Sequence, residues 1–157
     1  PLSALTDDLL SRFAANDLRK THWIKAVTDG TTTWYHPYKY KNSDTNSSTE
    51  YSIIFRLAEL YLIRAEARAQ SGDLIGAKED LNKIRTRAGL ANTSALTQVE
   101  ILDAILQERR LELFTEFGHR FFDLKRYNKI QSVLSAAKTG WDTHDALFPI
   151  PQVELGK

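Results

Sequence analysis

The sequence has no cysteine and no excess of either charge, and both absences limit what the chain can do. Without cysteine, disulfide bonds, thiolate metal sites and a cysteine nucleophile are excluded. The 21 Lys and Arg residues balance the 20 Asp and Glu residues, which leaves a formal net charge of +1. Proteins dedicated to nucleic acids carry a basic excess, so we expect no nucleic-acid partner.

Long apolar runs are also missing. No stretch approaches the roughly 20 apolar residues that a membrane-spanning helix needs, and no signal-peptide pattern is present. If the protein is exported or anchored, we expect the signal and the anchor to lie outside this segment. The 157 residues, of which 42% are hydrophobic, can bury one core of ordinary size.

Composition separates an irregular segment from a helical one. Residues 1–28 mix apolar and charged side chains and predict one short helix over about 5–15. Residues 29–50 are rich in Asp, Gly, Asn, Ser and Thr, which is typical of a loop. An aromatic cluster lies inside this predicted loop and consists of Trp34, Tyr35, Tyr38 and Tyr40, with His36 and Pro37.

Residues 52–90 predict two helices joined by a tight turn. In the first, over 52–70, apolar residues recur at helical spacing at Ile54, Leu57, Ala58, Tyr61, Leu62, Ala65 and Ala69. Gly72 fits the left-handed position after a helix, and Asp73 fits the N-cap of the next one. The second helix repeats the spacing at Leu74, Ala77, Leu81, Ile84 and Ala88. So short a turn requires antiparallel packing.

This spacing also matches a tetratricopeptide hairpin over residues 57–90. Ala65 and Ala77 fall where the two helices approach most closely, with Leu60 and Leu81 at the flanking apolar positions. One repeat cannot bury its own face, so further helices must stack on it. A capping box at Thr97 and Glu100 starts a third helix that runs to about residue 117, and a fourth helix extends the helical region to about 137.

The predicted fold is therefore all-α: tetratricopeptide-like helical hairpins with a long aromatic loop and an irregular C-terminal tail from residue 138. We expect residues 1–157 to form a single helical domain.

Two carboxylates continue the apolar stripe of the third helix. Ile101, Ile105, Glu108 and Glu112 share one helix face, so two like charges one turn apart point inward and need compensation. One explanation is a metal site, because Glu116 and His119 have Glu-x-x-His spacing. That site needs a second such motif, which the chain does not contain.

A second explanation is paired-carboxylate catalysis, which requires an open cleft between the acids. The third is a structural ion-pair network with arginines, whose planar fork can serve two carboxylates. The candidate partners are Arg85, Arg87, Arg110, Arg120 and Arg126. We favour the network and assign to it Glu108, Glu112, Arg110, Arg120, Asp123 and Arg126. No catalytic residue, metal or cofactor is expected.

Several motifs stand in a defined order and spacing along residues 16–154. The first is Arg56-Leu57-Ala58-Glu59-Leu60-Tyr61-Leu62, Ala65-Glu66-Ala67, Gly72-Asp73 and Leu81-Asn82-Lys83-Ile84-Arg85-Thr86-Arg87-Ala88-Gly89. The second is Ile105-Leu106-Gln107-Glu108-Arg109-Arg110-Leu111-Glu112-Leu113 followed by Gly118-His119-Arg120-Phe121-Phe122-Asp123-Leu124-Lys125-Arg126. The third is Phe148-Pro149-Ile150-Pro151-Gln152-Val153-Glu154, and Asn16-Asp17-Leu18-Arg19 and Lys39-Tyr40 are shorter motifs. In order and spacing the set resembles the SusD/RagB family, with the third motif as its closing segment.

The resemblance implies a non-enzymatic lipoprotein of the bacterial outer membrane that binds glycans. It implies two partners, an oligosaccharide and a TonB-dependent (SusC-like) transporter. Full-length members are longer and begin with a lipidated cysteine, so we expect this chain to be the C-terminal portion of a larger protein, with its lipid anchor outside this segment.

Glycan binding would use aromatic rings against sugar faces and polar groups against the hydroxyls. Trp34, Tyr35, Tyr38 and Tyr40 offer the rings, with Asn42, Asp44 and Asn46 nearby, and Trp141 with His144 forms a second cluster. The alternative is that these aromatics pin the loop onto the helices, as we expect for Trp23.

Two other functions remain open. A tetratricopeptide adaptor would bind a peptide in a groove that several repeats line. A carboxylate-dependent hydrolase would use Glu108 and Glu112.

Overall fold

The computed structural model describes residues 3–42 and 50–156, and the predicted all-α class is confirmed. Within these residues the chain is about 52% helical, with seven α-helices and one two-stranded sheet. The elements are α1 (Asp7–Ser11), α2 (Leu18–Trp23), β1 (Ile24–Thr28), β2 (Thr33–Pro37), α3 (Leu57–Gln70), α4 (Leu74–Arg87), α5 (Gln98–Glu112), α6 (His119–Arg126) and α7 (Ile130–Ala137). No helix in the described ranges is long and apolar enough to span a bilayer.

The chain divides into two compact units, the first ending at Thr115 and the second beginning at Glu116. The first unit contains α1 to α5 and the sheet. The second contains α6, α7 and two short 3₁₀ turns over Thr143–Ala146 and Gln152–Glu154.

The predicted helical hairpin is formed by α3 and α4. Arg64 Nε lies 2.7 Å from Asp80 Oδ2, and Arg68 Nη1 donates to the Gly76 carbonyl at 3.1 Å. The earlier arginine of α3, Arg64, contacts the later residue of α4, and Arg68 contacts the earlier one. The two helices therefore run antiparallel. The first helix begins at Leu57, about five residues later than its apolar spacing predicts.

Capping residues set the ends of these helices as predicted. Gly72 has φ +89°, in the left-handed region that follows a helix, and the Asp73 side chain accepts from Gly76 N at 2.9 Å. At the start of α5, Thr97 and Glu100 form a reciprocal capping box. The backbone N–H groups of Thr97 and its neighbour hold the pKa of Glu100 below its usual value.

The main core lies between α3, α4 and α5. Its buried residues are Ala58, Leu62, Ala65, Ala69, Ala77, Leu81, Ile84, Ile101 and Ile105. Ala65 and Ala77 are fully buried, as expected for the close contact, whereas Leu60 is exposed. Ile54 and Leu57 are also exposed, because the helix begins at Leu57 and its apolar face does not extend further back.

A smaller core joins α1 to the end of α5. Leu5, Leu9 and Phe13 are buried against Leu111 and Phe114. The rings of Phe13 and Phe114 meet edge to face, with centroids 5.7 Å apart. This contact fixes the N-terminal segment beside the carboxyl end of α5.

Asp80 gives the hairpin a predictable response to acid. Hydrogen bonds from Arg64, aided by the charges of Arg64 and Arg68, hold the pKa of this buried carboxyl below its usual range. A lowered pKa adds stability that is complete above the ordinary value of 3.8 and is lost as pH falls through the folded-state value. Asp80→Asn should therefore lower stability at neutral pH and flatten the acid limb of a urea-unfolding series. An unchanged acid limb would contradict this assignment.

Candidate functional site

The aromatic segment forms a β-hairpin where its composition predicts a loop. Residues 24–28 pair antiparallel with residues 33–37, from Ile24 opposite Pro37 to Thr28 opposite Thr33. The prediction that 29–50 is irregular is therefore wrong for 33–37. Threonine is common in loops, but it is β-branched and suits a strand when a neighbouring strand can pair with it.

The turn of the hairpin is held by its own side chains. Asp29 Oδ1 accepts from Thr32 N at 2.8 Å and from Thr31 N at 2.9 Å. These N–H groups hold the pKa of Asp29 below its usual value. Gly30 has φ +96°, which a residue with a side chain rarely adopts.

Trp34 and Tyr35 lie on opposite faces of the hairpin. Successive side chains of a strand alternate between faces, and the two rings are exposed to 42% and 41%. The structure therefore does not bring these two predicted sugar-binding residues together, and one sugar ring cannot stack on both.

On the Trp34 side, charged and aromatic groups surround Tyr38. Lys25 and His36 are cross-strand partners on this face. Lys25 Nζ lies 4.9 Å and Lys41 Nζ 5.0 Å from the centre of the Tyr38 ring. The His36 ring meets Tyr38 edge to face at 6.3 Å. We call Lys25, Trp34, His36, Tyr38 and Lys41 the basic aromatic face.

On the opposite side, Tyr35 borders a cavity of about 340 Å³. The lining residues are Leu10, Lys20, Thr21, Ile24, Ala26 and Tyr35. The walls are apolar apart from one ammonium group and two hydroxyl groups, a combination that suits a small ligand with both apolar and polar faces.

The base of the hairpin is tied to α5. Tyr38 N donates to the Trp23 carbonyl at 2.7 Å. Lys39 Nζ donates to the carbonyls of Glu112 at 2.8 Å and Phe114 at 3.0 Å. These bonds fix the hairpin beside the carboxyl end of α5, where the acid pair lies.

Arg19 lies at the centre of the buried charges. Glu108 and Glu112 are exposed to 2% and 0%. Arg19 Nη1 is 2.7 Å from Glu108 Oε1 and 3.3 Å from Glu112 Oε2. The same guanidinium forms a fork with Asp17, through Nε at 3.0 Å and Nη2 at 2.9 Å.

Burial alone would lower the pKa of Arg19. The hydrogen bonds from Arg19 to Asp17, together with the charges of Glu108, Asp17 and Glu112, outweigh burial and raise this pKa above its usual range. Arg19 is therefore a permanent cation between three buried carboxylates, which removes the repulsion expected from two acids one turn apart.

Three further arginines reach the acid pair. Arg56 Nη2 donates to Glu112 Oε1 at 2.8 Å, Arg85 lies 3.2 Å from Glu108 Oε2, and Arg87 contacts Glu112. Arg85 and Arg87 are among the partners considered from the sequence. Arg19 and Arg56 are not, although both stand in motifs that resemble the family.

The other residues assigned to the network lie elsewhere or in the second unit. Arg110 donates to Asp8 on α1. In the second unit Arg126 Nη2 donates to Asp123 Oδ1 at 2.9 Å, and Arg120 lies on the same helix, α6. Among the described residues, no group of three or more His, Asp or Glu side chains is arranged to hold a metal ion.

The remaining aromatic candidates are in different surroundings. In the second unit Trp141 Nε1 donates to Gln131 at 2.7 Å, and His144 Nδ1 lies 2.5 Å from Asp142. The Tyr40 hydroxyl accepts from the backbone N–H of Ile53. Asn42 is described and its backbone N–H donates to Glu50. The candidates Asp44 and Asn46 lie outside the described residues.

Comparisons with known proteins identify related sequences. The model of the SusD family matches residues 15–155. SusD-like protein P25 of Formosa agariphila is 30% identical over 98% of this chain and 32% of its own length. SusD-like protein P38 of the same organism is 41% identical over 52% of this chain and 18% of its own length.

Two solved structures from Bacteroides vulgatus are similar in fold. A SusD superfamily protein superposes with a TM-score of 0.76 at 23% identity, over 98% of this chain and 42% of its own. A SusD-like carbohydrate binding protein gives a TM-score of 0.67 at 30% identity, over 79% of this chain and 27% of its own. The chain thus spans less than half the length of each of these relatives.

Proposed function

This chain belongs to the SusD family, and on that premise we propose that it is a non-catalytic glycan-binding protein that captures oligosaccharides. The solved relative that is 30% identical over 79% of the chain is described as carbohydrate binding, which supports the proposal.

The exposed aromatic hairpin is the observation that carries this proposal. Trp34 and Tyr35 each leave about two fifths of their surface open, although large aromatic rings are usually more deeply buried. Strand pairing and the bonds from Lys39 hold the backbone of both residues in place. An exposed ring on a fixed backbone loses less conformational entropy when a sugar stacks on it than one on an unordered loop.

The acid pair acts as scaffold in this proposal. Glycoside hydrolysis requires two carboxyl groups that flank an open substrate cleft. Glu108 and Glu112 are buried and contact four arginines, so they serve to hold α2, α3, α4 and α5 together.

We place the protein at the bacterial outer membrane, held there by a lipid anchor outside this segment. Its proposed partner is a TonB-dependent transporter of the SusC type, with the helices as scaffold and docking surface. Support comes from the resemblance of the two helical motifs and the closing Pro-Ile-Pro segment to the family.

Separate single substitutions test the hairpin. Because Trp34 and Tyr35 lie on opposite faces, one of the two substitutions should weaken oligosaccharide binding about tenfold. Trp34→Ala should do so if the glycan binds the Trp34 face, and Tyr35→Ala should do so if it binds the opposite face. The measurement is calorimetric titration of each variant of the full chain with an oligosaccharide selected on a glycan array.

Phe55→Ala is the matched control, since Phe55 is an aromatic residue that is 82% exposed and lies outside the hairpin. Its affinity should equal that of the unchanged protein. Unchanged affinity in both hairpin variants would show that the hairpin is not the glycan site. An array on which no oligosaccharide binds would contradict the glycan proposal itself.

A further inference from the structure

The segment around the hairpin is basic within a nearly neutral chain. Residues 20–42 contain four lysines and one acid, Asp29, whereas the whole chain has a net charge of +1. Asp29 lies in the turn, where its carboxylate accepts two backbone N–H groups. The positive charge at the other end of the hairpin is therefore not cancelled by this acid.

Two of these cations are exposed and fixed beside one ring. Lys25 Nζ and Lys41 Nζ each lie about 5 Å from the centre of the Tyr38 ring. Lys41 Nζ also donates to the His22 carbonyl at 2.9 Å. Within the ranges 3–42 and 50–156, no carboxylate forms an ion pair with either ammonium group. The buried arginines differ in this respect, because each contacts an acid.

We propose that the basic aromatic face binds a sugar that carries an anionic group, either a carboxylate or a sulfate ester. This inference rests on the proposed glycan-binding function and names its substrate class. Trp34 lies on the same face as Lys25 and His36, so a sugar ring that stacks on Trp34 lies beside the cationic end of this face.

The charges explain why an anionic sugar would be preferred. The ammonium groups of Lys25 and Lys41 lie around one ring, and an anionic group beside either of them forms a charge-assisted hydrogen bond. A neutral sugar offers hydroxyl groups alone and forms weaker bonds with them. Both lysines are solvent-exposed, so the preference should weaken as salt is added.

The test compares three tetrasaccharides by calorimetry with the full chain: an oligogalacturonate, a sulfated galactan and a neutral galactan. At least one anionic probe should bind more tightly than the neutral probe. Lys25→Gln/Lys41→Gln should weaken anionic binding about tenfold and leave neutral binding unchanged, with each single substitution giving about threefold. Circular dichroism checks that the variants remain folded, as expected for exposed lysines.

Lys78→Gln/Lys83→Gln is the charge-matched control, because it removes two lysines from α4, and Lys83 also lies near a tyrosine ring. It should leave every affinity unchanged. Equal binding of neutral and anionic probes, or no effect of Lys25→Gln/Lys41→Gln, would overturn the inference and leave the glycan proposal standing. Equally tight binding of single-stranded oligothymidylate would also overturn it. If no tetrasaccharide or array oligosaccharide binds, both proposals fail.

Discussion

Replacing Glu112 with glutamine is expected to lower the free energy of unfolding by about 3–5 kcal/mol, the cost of leaving buried charge without its partner. The Glu112 side chain is fully buried, and its carboxylate contacts Arg19, Arg56 and Arg87. Glutamine keeps the size of the side chain but removes the negative charge and presents an N–H group to the arginines.

The three arginines differ in how far they can recover. Arg56 and Arg87 are partly exposed and can turn toward water, whereas Arg19 is 3% exposed and cannot. Arg19 keeps Asp17 and Glu108 as partners, so we expect a folded but weakened protein. Urea unfolding followed by circular dichroism measures the loss.

Glu79→Gln is the matched control, since it makes the same chemical change at an exposed position of α4. We expect it to change stability by less than about 0.5 kcal/mol. A similar small change in Glu112→Gln would show that the acid pair does not depend on its arginines, and the structural role assigned to it would be wrong.

The same network connects the scaffold to the proposed binding site. Lys39 follows the hairpin and donates to the Glu112 carbonyl, while Arg56 bonds both the carbonyl and the side chain of Glu112. The end of α5 therefore binds two residues that follow the aromatic segment. The contacts that stabilise the acid pair therefore also hold the hairpin in position.

Local signals predict the helical core well. Gly72 and Asp73 define the turn between α3 and α4, and Thr97 and Glu100 define the start of α5. Each of these signals depends on residues a few positions apart, so it can be read from the sequence. The start of α3 is mispredicted because Ile54 has helical spacing by coincidence.

The hairpin and the centre of the charge network are harder to predict, because both depend on distant residues. Thr33 becomes part of a strand through its pairing with Thr28. Arg19 reaches Glu112 across 93 positions of sequence. The helical spacing of Glu108 and Glu112 shows that cations are needed, but it cannot select Arg19 over Arg110, which contacts Asp8.

The second large effect is expected in the core of the helical hairpin. Ile84→Ala should lower the free energy of unfolding by about 2–5 kcal/mol, because it removes a buried side chain and leaves a cavity. Ile84 is 3% exposed and packs in the core between α3, α4 and α5. Urea unfolding of the full chain measures this loss.

Ile75→Ala is the matched control, because Ile75 lies on the same helix and is 75% exposed. The two variants lose the same atoms from the same helix, so burial is the main difference between them. Ile75→Ala should change stability by less than about 0.5 kcal/mol. Equal losses in the two variants would mean that α4 does not present its Ile84 side to the core, which would contradict the tetratricopeptide-like packing on which the position of the acid pair depends.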